Sequence, residues 1–205
     1  MYQNKILILC EGDTEKNAVE IFLRKSLEHD NVRVGLKALS KGYNFEKIKA
    51  YADDAIEGNA KAVFSLFDIY GFPGLQPSDD VHKKIIEGKK FLINKMGIGA
   101  SKYFPHFTVH ETESWFFADD ALLCRFLRTN QKLAHLKPEE IDFQDHPSRR
   151  LSNLSQKYRK QRYDKNYDSS QMFKHLEFDA VYRSCPYFKQ FWDELVTVAR
   201  SNASI

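Results

Sequence analysis

Four carboxylates carry the clearest chemical signal in the chain. Glu11 follows the apolar run Ile6–Cys10, Asp68 follows the run at 62–67, and Glu111 follows 103–109, with Glu113 two residues on. Each acid alone reads as an ordinary turn or cap residue. Three of them at the ends of apolar runs point further, because ligands of open parallel sheets sit beyond the carboxyl ends of the strands. Carboxylates gathered there repel one another, and they need a cation or raised pKa values to coexist. Oxygen donors without cysteine suit a hard ion, Mg²⁺ or Mn²⁺. Such an ion can neutralise a scissile phosphate.

A second constellation is basic. Between residues 149 and 165 stand Arg149, Arg150, Lys157, Arg159, Lys160, Arg162 and Lys165 against Asp164, a net +6 in a chain whose total is +3. Tyr158 and Tyr163 lie among these charges. A cation cluster with interleaved rings suits a nucleic-acid backbone and its bases, although a solvated helix face has the same composition. Arg149, Arg150, Lys157, Arg159, Lys160 and Arg162 are the nucleic-acid-binding candidates. Lys165 is a candidate to reach the strand-end site, where its charge would stabilise a phosphoryl transition state. His110, beside Glu111, is a candidate base or ligand.

These residues must be positioned by one large domain, or by one domain with an appendage. The chain has 205 residues, 42% hydrophobic and 29% charged, with 16 Phe, 10 Tyr and 2 Trp, which excludes a disordered tail. No stretch approaches the ~20 apolar residues of a membrane span. Glu11 interrupts the first apolar run too early for a secretory signal. The three cysteines Cys10, Cys124 and Cys185 are too scattered for a disulfide framework or a C-x-x-C metal knuckle. A cytoplasmic location is the expectation. The sequence has no G-x-x-x-x-G-K-[ST], G-x-G-x-x-G, G-x-S-x-G or H-E-x-x-H pattern, so an internal ATPase, a dinucleotide site, a serine hydrolase and a zincin are not expected.

Hydrophobic periodicity predicts strands at 5–10, 32–39, 62–67 and 103–109. Helices are predicted from residue 13 or 14 to about 28, from 45 to 57 and from about 80 to 96, and one more over 112–128. Strands alternating with helices mean crossover units and a parallel sheet. After Pro138 the chain is more polar and reads as helical, ending in a helix over 187–199 that carries Phe188, Phe191, Trp192 and Leu195. The expected plan is a core over residues 1–130 and a helical C-terminal extension over 131–205, packed as one compact unit.

Six blocks in order resemble a known family: Glu11-Gly12-Asp13-Thr14-Glu15, Asp68-Ile69-Tyr70-Gly71-Phe72-Pro73, His110-Glu111-Thr112-Glu113-Ser114-Trp115, Pro147-Ser148-Arg149-Arg150, Tyr163-Asp164-Lys165 and Cys185-Pro186-Tyr187-Phe188. Together they are similar to the bacterial domain-of-unknown-function family 4276, a Toprim-like family often encoded in phage-defence and abortive-infection loci beside an ABC- or SMC-type ATPase. The resemblance implies a Toprim-like (Rossmannoid), mainly parallel sheet flanked by helices and a Mg²⁺ or Mn²⁺ site. Glu11 would be the first-motif ligand or general acid/base, Asp68 the second-motif acid, and Glu111 and Glu113 further ligands. One position departs from the Toprim pattern, since the second acid of "D-x-D" is Tyr70 here. Glu15, one helical turn from Glu11, is placed either to substitute for it or to cap the helix.

The expected function is a metal-dependent nuclease, the effector of an anti-phage system with an ATPase partner, with Glu11, Asp68, Glu111 and Lys165 catalytic. The alternative is a catalytically inactive binding or regulatory subunit of the same ATPase complex, which the loss of an acid at Tyr70 would suit.

Overall fold

The structure is a computed structural model that describes residues 5–39, 42–75, 80–99, 101–131, 133, 138–140 and 146–201. The turn residues Lys41 and Pro77, the helix-preceding Asp79 and the surface candidate His135, so read from the sequence, lie outside the described residues.

Four strands, β1 (Ile6–Cys10), β2 (Val34–Ala38), β3 (Ala62–Asp68) and β4 (Tyr103–Thr108), form one all-parallel sheet in the order β2-β1-β3-β4. Helices α1 (Asp13–His29), α2 (Phe45–Glu57) and α3 (Val81–Met96) make the crossovers. β1 and β3 are buried on both faces, as their unbroken apolar runs require. Ile6, Ile8, Cys10, Phe64 and Leu66 face the α1 side, while Leu7, Leu9, Val63 and Phe67 face the side covered by α2 and α3. Gly88 lets α3 approach closely, since a Cβ there would stand 2.8 Å from the ring of Phe107 on β4. β2 begins two residues later than the hydrophobic pattern predicts and ends at Ala38; as an edge strand it is only half-buried.

The helix predicted over 112–128 is two elements. Residues Thr112–Ala118 form a 3₁₀ segment and α4 starts afresh at Asp120–Leu127. Trp115, Phe116 and Phe117 are all buried, and three successive inward positions do not fit the single apolar stripe of an α-helix. The Asp119 carboxylate then caps α4 by accepting from Leu122 N at 2.8 Å.

The C-terminal part is helical: α5 (Pro147–Arg159), α6 (Tyr167–His175), α7 (Phe178–Ser184) and α8 (Pro186–Arg200). Met172, Phe173, Val181, Phe188, Phe191 and Leu195 belong to the same buried cluster as α1 and the sheet face beneath it. Trp115 meets Phe188 with ring centroids 4.9 Å apart and Phe22 at 5.5 Å. These helices therefore supply the second layer on that face of the sheet. Among the described residues no helix is long and apolar enough to cross a membrane.

Glu139 links the chain at 138–140 to α8, accepting from Tyr187 N at 3.0 Å and Phe188 N at 3.3 Å. Burial pushes its carboxyl from the ordinary 4.5 up to about 7, against the lowering effect of those two donors. A raised folded-state pKa contributes stability that is complete below the unfolded value and is lost as pH rises through the folded one. Glu139→Gln is therefore expected to flatten the decline in melting temperature between pH ~4.5 and ~7. An unchanged slope in thermal melts across that window would refute the assignment.

Candidate active site

The chain moves from β1 outward to β2 and then back across to β3, so the sheet switches direction between β1 and β3. A crevice opens at the carboxyl ends of two such strands, and Glu11 and Asp68 stand at those ends.

Asp68 closes β3 and is nearly buried, its Oδ1 accepting from the Thr108 hydroxyl of β4 at 2.5 Å. Burial raises its carboxyl well above the usual range, with Glu15, Glu11 and Glu113 adding repulsion. Glu11 is raised too, chiefly by burial and further by Glu15 and Glu111. The hydroxyl of Tyr43, on the loop between β2 and α2, lies 2.7 Å from Glu11 Oε2 and 2.7 Å from the Asp68 carbonyl oxygen. A hydroxyl has one hydrogen, and a carbonyl only accepts. That single hydrogen serves the two acceptors in turn, and its donation to Glu11 works against the upward push of burial on the carboxyl.

β4 leads into the remaining acids through His110, which is fully buried in the left-handed region at φ 70°. Its burial keeps the ring from acting as a solvent-facing base. The turn delivers Glu111, whose Oε2 accepts from Ser148 N in the first turn of α5 at 3.0 Å. It also delivers Glu113, 1% exposed and raised by burial first. Glu15, in the first turn of α1, folds back over Gly12, where a Cβ would stand 2.7 Å from its carboxylate.

Lys165 joins these groups. Its ammonium lies 3.4 Å from Glu15 Oε1, 3.5 Å from Glu113 Oε1 and 3.7 Å from Glu111 Oε1. Those carboxylates outweigh its desolvation and raise its pKa, so the cation is held charged. Glu11, Asp68, Glu111, Glu113 and Lys165 thus stand in one electrostatic cluster with Glu15. The donor set is carboxylate throughout, which fits a hard divalent cation in chemistry. Among the described residues no three His, Cys, Asp or Glu side chains are gathered tightly enough to enclose an ion, and Lys165 stands between three of the carboxylates.

The basic candidates are divided. Arg149, Lys157, Lys160 and Arg162 are exposed, and Arg150 is half-buried in the first turn of α5. Arg159 turns inward, pairing with the buried Asp168 at 3.2 Å and lying 4.2 Å over the Phe126 ring. Neither interleaved ring is an open face: Tyr163 packs edge-on to Phe126, and Tyr158 is half-buried with its hydroxyl donating to Gln131. Buried Cys10 and Cys185 have thiols pushed up by desolvation, so they behave as inert core residues.

Tyr43, Thr108 and Ser148 are the site residues that sequence reasoning missed. Strand order puts the loop after β2 beside the end of β1, and no local pattern announces that order.

Comparison with solved structures finds the same fold in the C-terminal region of the Xanthomonas campestris pv. campestris OLD protein. The TM-score is 0.50 at 14% identity, and the match covers 97% of each chain. The expected class, a mainly parallel sheet flanked by helices with a helical C-terminal part, is the class observed. No curated protein matches the chain. The family model described as "Domain of unknown function (DUF4276)" matches residues 10–196, and the chain belongs to that family.

Proposed function

We propose that the chain is a Mg²⁺- or Mn²⁺-dependent nuclease, and that it acts as the effector of an anti-phage system with an ATPase partner. The observation that carries the catalytic part is the convergence of five carboxylates and Lys165 at the carboxyl ends of β1, β3 and β4, two of those acids nearly or fully buried. Burying Asp68 and Glu113 is costly for folding, so the cluster calls for a function that uses it. The ATPase and the defence setting come from the family resemblance.

Glu11, Asp68, Glu111 and Glu113 would have to draw closer together to hold the cation, which when bound would supply Lewis-acid charge at a scissile phosphate. The chain's own residues do the rest. Thr108 fixes the Asp68 rotamer, Tyr43 ties Glu11 to the end of β3, and Ser148 N fixes Glu111. Lys165 brings a permanent positive charge to where a pentavalent phosphate would gather negative charge. Burial raises the Glu11 carboxyl, the direction that suits a group exchanging a proton with a substrate. Exposed Arg149, Lys157, Lys160 and Arg162 would hold the nucleic-acid backbone.

The test is cleavage of DNA and RNA with Mn²⁺, with Mg²⁺ and with EDTA, by the chain alone and with its ATPase. Cleavage that depends on the divalent ion is expected. No cleavage under any of these conditions would shift the reading to an inactive binding subunit. That second reading has two observations in its favour: Lys165 already neutralises part of the cluster, and Tyr70 stands where a further acid would strengthen a metal site.

A further inference from the structure

The two edges of the sheet are built differently. Along β4, Val63 N donates to Lys102 O at 2.8 Å and Ile69 N donates to Thr108 O at 3.1 Å. Alternate residues of a strand turn both backbone groups to the same side. The even-numbered residues of β4 therefore serve β3, and the odd-numbered ones face outward. The middle outward position is Pro105, which has no N–H to offer. A proline there blunts the edge against pairing with another chain.

β2 has no such guard. Arg33 O accepts from Ile6 N at 3.0 Å, and Leu39 N donates to Cys10 O at 3.0 Å. By the same alternation, the N–H and C=O groups of Val34, Leu36 and Ala38 lie on the outer side. Among the described residues no strand pairs with that side. Val34 and Leu36 are half-buried toward the α1 face, where they line a groove beside α1. Its walls hold Lys5, Arg24 and Arg33 against Glu20 and Glu28. Charges so nearly balanced suit a partner of mixed charge, and neither a nucleic acid nor a strongly acidic protein.

The strand is complementary to itself. With two copies antiparallel about Leu36, Leu36 stands opposite Leu36 of the second copy and Val34 opposite its Ala38. Both are hydrogen-bonded pairs, because these are the outward residues. Their side chains share one face, so each copy extends the apolar lining of the other's groove. On the opposite face Gly35 meets Lys37 of the second copy. A Cβ on Gly35 would have nothing within 4 Å, so the lysine stem finds open space. Lys37 is the one charge on β2, and this register sets it against no like charge.

We infer that the outer edge of β2 is a homodimer interface, in which two copies join antiparallel about Leu36 into one eight-stranded sheet. Such an isologous contact closes on itself and uses up the open edge of both copies. The inference goes beyond the nuclease reading and is independent of it. An antiparallel joint also points the two strand-end crevices in opposite directions.

Sedimentation equilibrium over a concentration series tests it, and the wild-type chain is expected to dimerise. Gly35→Glu sets an acid opposite Lys37 twice per dimer and should tighten it about fivefold, whereas Gly35→Lys opposes like charges twice and should weaken it about fivefold. Thermal melts of the dilute chains should show both variants folded, since the position is open. Under mild oxidation Leu36→Cys should form a disulfide-linked dimer, because opposed residues of such a pair stand ~5.5 Å apart at Cα. Lys37→Cys, whose two copies are offset along the strands, should not. A monomer at every concentration up to about 100 μM, a dimer indifferent to both Gly35 substitutions, or crosslinking at 37 rather than 36 would each overturn the proposal.

Discussion

Asp68→Asn is expected to abolish Mn²⁺ binding and to lower divalent-dependent cleavage by about 100-fold or more, while leaving the fold intact and no less stable. Asparagine has the same shape and keeps an oxygen that can accept from Thr108 Oγ1. What disappears is a charge that burial disfavours, as the raised carboxyl of Asp68 records. The sign of the stability change follows by linkage. A raised folded-state pKa means that the native state loses stability as pH rises through that value, and the amide has no such loss. In EDTA the variant should therefore match or exceed the wild-type melting temperature, with the gap widening as pH rises above the ordinary carboxylate range. Calorimetric titration with Mn²⁺, nuclease assays and thermal melts check the three parts. Unchanged Mn²⁺ affinity in the folded variant would remove Asp68 from the metal site. A sharp fall in stability would make its role structural.

Lys165→Met separates catalysis from ion binding in the opposite sense. Lys165 is the cation shared by Glu15, Glu111 and Glu113. Removing it leaves these acids more repulsive and Glu113 more strongly driven to hold a proton. Cleavage is expected to fall about 100-fold or more through the lost phosphate contact. Mn²⁺ affinity should hold or rise, because the pocket becomes more anionic. In EDTA the variant should melt lower than wild type above neutral pH, since an acid with a raised pKa costs stability as pH climbs, and Mn²⁺ should restore the difference. A variant that cuts at the wild-type rate would show that Lys165 only balances charge.

The parts of the fold legible in the sequence are those that burial writes locally. Runs such as Ile6–Cys10 and the stretch ending at Asp68 are apolar because both faces of a central parallel strand are covered. Acids at their ends are visible as abrupt stops. Edge strand β2 is faint because it is only half-buried. The break at Asp119 was hidden inside a stretch with good helical composition, and only packing of Trp115, Phe116 and Phe117 reveals that an α-helix cannot run through it. In the site, carboxylates could be named from their places after strands, but Tyr43 could not. Its position depends on β2 lying beside β1, which is a long-range pairing. Arg159 and Lys165 look alike as letters in one basic stretch. A buried Asp168 draws the first inward and the acidic cluster draws the second to the crevice.

The site is also spread along the chain in a way that orders its assembly. Glu11, Glu15, Asp68, Glu111 and Glu113 all precede residue 114, whereas Lys165 and the helices α6 to α8 that close the α1 face come from the last quarter of the sequence. During synthesis the acids emerge first, without their internal cation and without the layer that buries Trp115 and Phe22. A product cut short before residue 165 therefore has the ligands of the crevice and lacks the charge that would act on phosphate. On the proposed nuclease chemistry, an unfinished copy would lack the cation that acts on phosphate until the last quarter of the chain is made.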